Sequence, residues 1–120
     1  MAGTLVANTI NTDTGVFSTN NAYLGIAKAW VNYNATTQTI TNSFNVSSVT
    51  YVSSGLYTIN YTTAMPNANY CISGTSTYGG GQNLFIFPYG SKTTALCQVY
   101  SVYYAAVADG TSVCVIIHGN

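Results

Sequence analysis

Charge is almost missing from this sequence. It has no arginine and no glutamate, and its ionic side chains are Lys28, Lys92, Asp13 and Asp109, with His118 the single histidine. An ordinary soluble domain is about a quarter charged. Each missing group excludes a class of function. A glycoside hydrolase needs two carboxylates about 5 to 10 Å apart, and Asp13 falls in an N-terminal arm while Asp109 falls in a predicted Asp-Gly hairpin turn. Nucleophilic catalysis needs a base and a group that orients it. The only candidate base is His118, two residues from the C-terminus, on the predicted strand face of Cys114 and Ile116. The expectation is a protein that is not an enzyme, with no catalytic residue and no cofactor. Nucleic acid is not an expected partner either, because phosphate-backbone binding needs several lysines or arginines to displace counterions.

Other absences narrow the field further. No uninterrupted apolar run is long enough to cross a bilayer, and the N-terminus lacks the basic start and apolar block of a secretory signal. Cytoplasmic synthesis without membrane insertion is expected. Cys71, Cys97 and Cys114 are odd in number and contain no C-x-x-C pair, so neither a disulfide framework nor a zinc or other metal site is expected. They read as buried free thiols, since cysteine packs as a small hydrophobe. The triple glycine at 79–81 is not followed by Lys-Ser/Thr, which removes the phosphate-loop reading and leaves a flexible loop. N-x-S/T sequons at Asn34, Asn45 and Asn60 arise readily in a chain this rich in Asn, Ser and Thr.

What is present is the residue set of β-structure. Thr, Tyr, Val and Ile dominate, and these suit a pleated, half-buried surface. In GLYTINYTT, Tyr57, Ile59 and Tyr61 share one face and Thr58, Asn60 and Thr62 the other, the period of two that marks a strand with one face in a core. Similar runs occupy residues 25–33, 43–52, 69–74, 83–87, 95–104 and 112–119, separated by turn signals at Gly55, Pro66, the triple glycine and Asp109-Gly110. About seven short strands at this spacing predict an all-β chain, an antiparallel β-sandwich of jelly-roll type.

Residues 1–24 read as an extended N-terminal arm before a β-sandwich domain over 25–120. The arm carries sparse apolar residues, Leu5, Val6, Ile10, Val16 and Phe17, set among Asn and Thr. Such a segment can dock on a neighbour by adding a strand to its edge. Near-zero net charge favours association. Tyrosine offers a stacking face and a hydroxyl at low entropic cost, so Tyr78, Tyr89, Tyr100, Tyr103 and Tyr104 are candidate contacts with a ligand or a neighbouring subunit.

Four motifs add a resemblance. K-A-W-V (28–31), S-F-N-V-S-S (43–48), G-x-Y-T-x-N-Y-T-T-A-M (55–65) and P-x-A-N-Y (66–70) together resemble a module of tailed bacteriophages, marine and cyanobacterial ones above all. That module is found at the ends of tail-fibre proteins and in short virion proteins. The closing DGTSVCVIIHGN resembles its last strand. The resemblance implies a non-enzymatic virion structural protein, a homotrimeric β-sandwich on the particle surface, made in the host cytoplasm. No heptad, collagen-like or shaft repeat precedes Ala27, so capsid decoration, as a cement protein bound to the major capsid protein, is the expected role. The alternative is a tail-fibre or receptor-binding knob that attaches to tail proteins and recognises a host-surface glycan.

Overall fold

The computed structural model describes residues 3–4, 6, 9–12, 15–18, 25–79, 82–103 and 106–119. Among them every regular element is a strand: β1 (Thr9–Thr12), β2 (Gly15–Ser18), β3 (Ala27–Asn34), β4 (Thr39–Phe44), β5 (Val46–Ser53), β6 (Leu56–Tyr61), β7 (Cys71–Tyr78), β8 (Gln82–Lys92), β9 (Leu96–Tyr103), β10 (Ala106–Val107) and β11 (Ser112–His118).

Strands β1 and β2 pair only with each other, Ile10 opposite Phe17 and Asn11 opposite Val16. The predicted arm is therefore a hairpin over these residues rather than one extended segment. The two strands pair antiparallel, so the backbone groups that face the partner strand are bonded within the segment.

The other nine strands form one antiparallel sheet in the order β4-β3-β11-β7-β8-β9-β6-β5, with β10 added beside β9. This sheet is nearly closed into a barrel and is not clearly a two-layer sandwich. The physical reason lies in one residue. β4 and β5 occupy opposite ends of the sheet order yet are consecutive in the chain, joined through Asn45 alone. Asn45 takes a left-handed φ of 54°, a conformation asparagine tolerates better than most residues. Its Nδ2 donates to the carbonyls of Lys28 (3.0 Å) and Thr63 (3.1 Å), and its Oδ1 accepts from the Thr63 amide at 2.7 Å. A single side chain thus ties the two edges of the sheet together. The sequence reading took residues 43–52 as one strand; the corner at Asn45 breaks it and brings the ends of the sheet face to face.

Parity along the strands is as expected. Ala29, Val31 and Tyr33 of β3, Tyr57, Ile59 and Tyr61 of β6, Cys97 and Val99 of β9, and Val113, Val115 and Ile117 of β11 point inward and form the core. Each fully buried valine or isoleucine contributes about 1.5 to 3 kcal/mol. Of the three cysteines only Cys97 is buried; Cys71 is exposed and Cys114 intermediate. The expectation of three buried thiols fails because Cys114 falls on the outward parity of β11 and Cys71 begins β7.

β7 and β8 pair only over Thr75–Tyr78 and Gln82–Phe85, so the second half of β8 is bordered by β9 alone. That free edge carries Pro88, which lacks an amide donor and is tolerated in such places, and a register shift between Pro88 and Lys92. The turn from β5 to β6 is pressed against β9 and β10. A side chain at Gly55, whose φ is 68°, would come 2.7 Å from the Ser101 carbonyl and 2.8 Å from the Ala108 amide.

Candidate interaction surface

Two groups of aromatic side chains divide the molecule. The inner one surrounds Asp109, the only carboxylate side chain among the described residues. Its Oδ1 accepts hydrogen bonds from the Gly55 amide (2.7 Å) and the Tyr57 hydroxyl (3.0 Å), and its Oδ2 accepts from the Tyr51 hydroxyl (2.9 Å). Tyr33 and Tyr57 meet edge to face at 5.6 Å, and Tyr51 and Tyr57 lie 6.0 Å apart. Burial raises the pKa of Tyr57 above its ordinary value, with the Asp109 charge adding to it, and the same two causes raise Tyr33. The hydrogen bond to Asp109 is the main cause that raises Tyr51. With both oxygens occupied, this carboxylate acts as a clamp that holds the β5–β6 turn and the segment entering β11.

The Asp109-Gly110 pair is accordingly not the hairpin turn expected from its dipeptide. β10 pairs with β9, whereas β11 pairs with β3 and β7, so the pair belongs to a crossing between different parts of the sheet. Asp109 is consumed by partners more than 50 residues away, which local turn chemistry does not register. Cys114 and His118 do share the outward face of β11 with Ile116. Four residues of extended chain separate the thiol and imidazole by roughly 13 Å, beyond hydrogen-bond reach.

The outer group lies on β8, β9 and β10. Phe85 and Phe87 project outward from β8 between the inward Leu84 and Ile86, and are 67% and 51% exposed. Phe85 stands opposite Val102 and Phe87 opposite Tyr100 on β9, while Val107 of β10 stands opposite Val102 on its other side. Residues directly opposite in an antiparallel pair share a face, so these side chains form one outward apolar strip. The Phe85 and Phe87 rings lie 6.4 Å apart. Past Pro88 the register shift lets β8 bulge over Gln98, whose Oε1 accepts from the Ser91 amide at 3.1 Å. The bulge sets Tyr89 against Tyr100, with ring centroids 4.0 Å apart and planes inclined at 39°.

Of the tyrosines singled out from sequence, the fold brings Tyr89 and Tyr100 into contact. Tyr78 is exposed at the far end of β7, and Tyr103 is partly buried opposite Ala106. Tyr104 and Leu5 lie outside the described residues, and Val6 is exposed. Ile10, Val16 and Phe17 are located only by their register in the hairpin. Sequence reasoning missed Phe85 and Phe87, although the alternation in NLFIFPY carried the signal. Among the described residues no group of three or more His, Cys, Asp or Glu could hold a metal ion, and no helix is long and apolar enough to cross a membrane. No family model, curated protein or solved structure matches the chain.

Proposed function

We propose that this chain is a non-enzymatic structural protein of a bacteriophage virion, a homotrimer whose subunits meet through the outward strip of β8 and β9 and which decorates an assembled capsid. The observation that carries the reading is the strip itself: Phe85, Phe87 and Tyr89 are exposed side by side on a rigid sheet, in a chain with only four charged side chains to keep copies apart. Contiguous exposed aromatic surface marks an interaction site, and aromatic residues are enriched in the buried centres of subunit contacts. The resemblance of the four motifs to a phage virion module supports the particle context. K-A-W-V lies on β3, S-F-N-V-S-S turns the Asn45 corner, and G-x-Y-T-x-N-Y-T-T-A-M supplies β6 and the buried Met65.

In this reading the major capsid protein is the partner, the hairpin of β1 and β2 faces it, and the protein travels from the host cytoplasm to the virion. Sedimentation velocity tests the assembly, and antibody labelling of intact particles tests the place. A trimer that the double variant Phe85→Ser/Phe87→Ser turns into monomers, with label over the head, is the expected result. A wild-type chain that stays monomeric at every concentration, or label confined to the tail, overturns the corresponding half of the reading.

A further inference from the structure

The bulge that follows Pro88 aims a side chain. Ladder pairing of β8 with β9 runs through Phe87 opposite Tyr100 and Pro88 opposite Val99, then resumes at Lys92 opposite Cys97. Tyr89, Gly90 and Ser91 are held by other means. Gly90 takes a left-handed φ of 59°, and a side chain there would come 2.5 Å from the Gln98 Oε1. Gln98 supports the crossing: its Oε1 accepts from the Ser91 amide and its Nε2 donates to the Thr58 hydroxyl, each at 3.1 Å. Bulges re-aim side chains, and this one lays the Tyr89 ring on the Tyr100 ring.

Their contact differs from the other tyrosine contacts among the described residues. Tyr89 and Tyr100 meet with ring centroids 4.0 Å apart and planes inclined at 39°. The inner pairs, Tyr33 with Tyr57, Tyr51 with Tyr57 and Tyr61 with Tyr70, lie 5.6, 6.0 and 5.8 Å apart and are inclined at 64°, 59° and 81°. Inner hydroxyls are also committed, those of Tyr51 and Tyr57 to Asp109 and that of Tyr70 to the carbonyls of Thr93 and Leu96. Tyr89, in contrast, is 47% exposed, and hydrogen bonding between its hydroxyl and that of Tyr100 raises the Tyr100 pKa above its ordinary value. Two phenols thus lie face to face at the surface with their hydroxyl ends together.

We propose that Tyr89 and Tyr100 are a modification site, where oxidation by peroxide joins them into an intrachain dityrosine that staples the β8 bulge to β9. Each phenol loses one electron and one proton, and the unpaired electron of the resulting tyrosyl radical is shared with the ring carbons ortho to oxygen. Facing rings let the half-filled orbitals on two such carbons overlap, and a carbon–carbon bond forms between them. The two ring hydrogens then shift to the phenolic oxygens, both rings regain aromaticity, and the chain has lost two hydrogen atoms. Hydrogen peroxide, acting through a haem peroxidase, takes up both electrons and both protons and leaves as two molecules of water. The link constrains the unfolded chain as a disulfide does, while the folded chain already holds the rings in contact. It forms within one chain and does not rest on the assembly reading.

The test treats the full chain with hydrogen peroxide and a haem peroxidase at high dilution and reads the product by denaturing gel, intact mass and peptide mapping. The expected product migrates as a single chain, is lighter by two hydrogen masses and shows the blue emission of a biphenol. Mapping should join the peptides that carry Tyr89 and Tyr100, and the urea midpoint should rise. Tyr89→Phe and Tyr100→Phe, each with the circular dichroism of the wild type, should lose the intrachain product, because phenylalanine forms no phenoxyl radical. Phe85→Ser/Phe87→Ser, which separates the subunits in the assembly reading, should still couple, so the two readings fail independently. The inference is overturned if no intrachain link forms, if the links join other tyrosines, if either phenylalanine variant still gives the product, or if the coupled chain unfolds at the wild-type midpoint.

Discussion

Tyr57 and Tyr100 sit on neighbouring strands in adjoining pairs of the ladder, Leu56 opposite Tyr100 and Tyr57 opposite Val99, yet they do opposite work. Tyr57 points inward, almost fully buried, and donates its hydroxyl to Asp109. Tyr100 points outward and lies against Tyr89. One step of strand parity separates a residue that holds the molecule shut from one that leaves surface available to another molecule. The lesson is that side-chain chemistry alone does not assign a role in a chain so rich in tyrosine. The face it occupies does.

The sharpest way to break the comparison is to remove the inner clamp. Asp109→Ala leaves the Gly55 amide and two tyrosine hydroxyls without their acceptor. Unfolding by urea should show a loss of about 3 kcal/mol, since each buried donor left unpaired costs about 1 to 3 kcal/mol and part of this site stays wet. Asp109→Asn, which keeps one acceptor oxygen, should lose less. If Asp109→Ala unfolds at the wild-type midpoint, the clamp is not structural.

Alkaline pH attacks the same region without mutation. Burial raises Tyr57 and Tyr33 above the ordinary tyrosine value of 10.0. A raised folded-state pKa means that the folded protein holds the proton more tightly than the unfolded chain. The contribution is fully present below the unfolded value and is lost as pH rises through the folded one. Stability should therefore hold up to the ordinary tyrosine value and decline above it. Ultraviolet titration should show the buried Tyr33 and Tyr57 rings ionising only as the fold opens. Ionisation of every tyrosine in one step, with the circular dichroism of the fold intact, would contradict the inner placement.

The outer strip should behave in the reverse sense. Phe85→Ser/Phe87→Ser should change the urea midpoint by less than the equivalent of about 1 kcal/mol, the scale of exposed cross-strand pairs, while altering self-association by far more. A loss comparable with that of Asp109→Ala would show that the strip belongs to the core.

Salt should matter least of all. Apolar burial is not screened as ion pairs are, so self-association should be nearly unchanged between low salt and about 0.5 M sodium chloride, where the Debye length is about 4 Å. Dissociation of the assembly on adding salt would mean that one of the few charges decides it.

Much of this architecture was legible in the residues. Alternation located β3, β6, β9 and β11 and sorted their inner and outer faces, because one buried face forces a period of two. β4 was missed: its TITNSF run is mostly exposed and carries little apolar signal. Asn45 read as the middle of a strand, since its three side-chain bonds reach Lys28 and Thr63, both 17 or more residues distant. Tyr89 and Tyr100 were singled out for their chemistry, but their contact depends on a bulge over Gln98 that no local pattern announces.

What the sequence determined by itself was composition-level and periodic: an all-β chain, the parity of its main strands and a surface nearly without charge. These follow from propensities and burial that act within a few residues. What only the tertiary structure decided was the near closure of the sheet at Asn45, the assignment of Asp109 as a clamp between distant turns, and the gathering of Phe85, Phe87, Tyr89 and Tyr100 into one outward strip. Each of these depends on the register between strands far apart in the chain, and register is settled only when the whole sheet pairs and its buried faces meet.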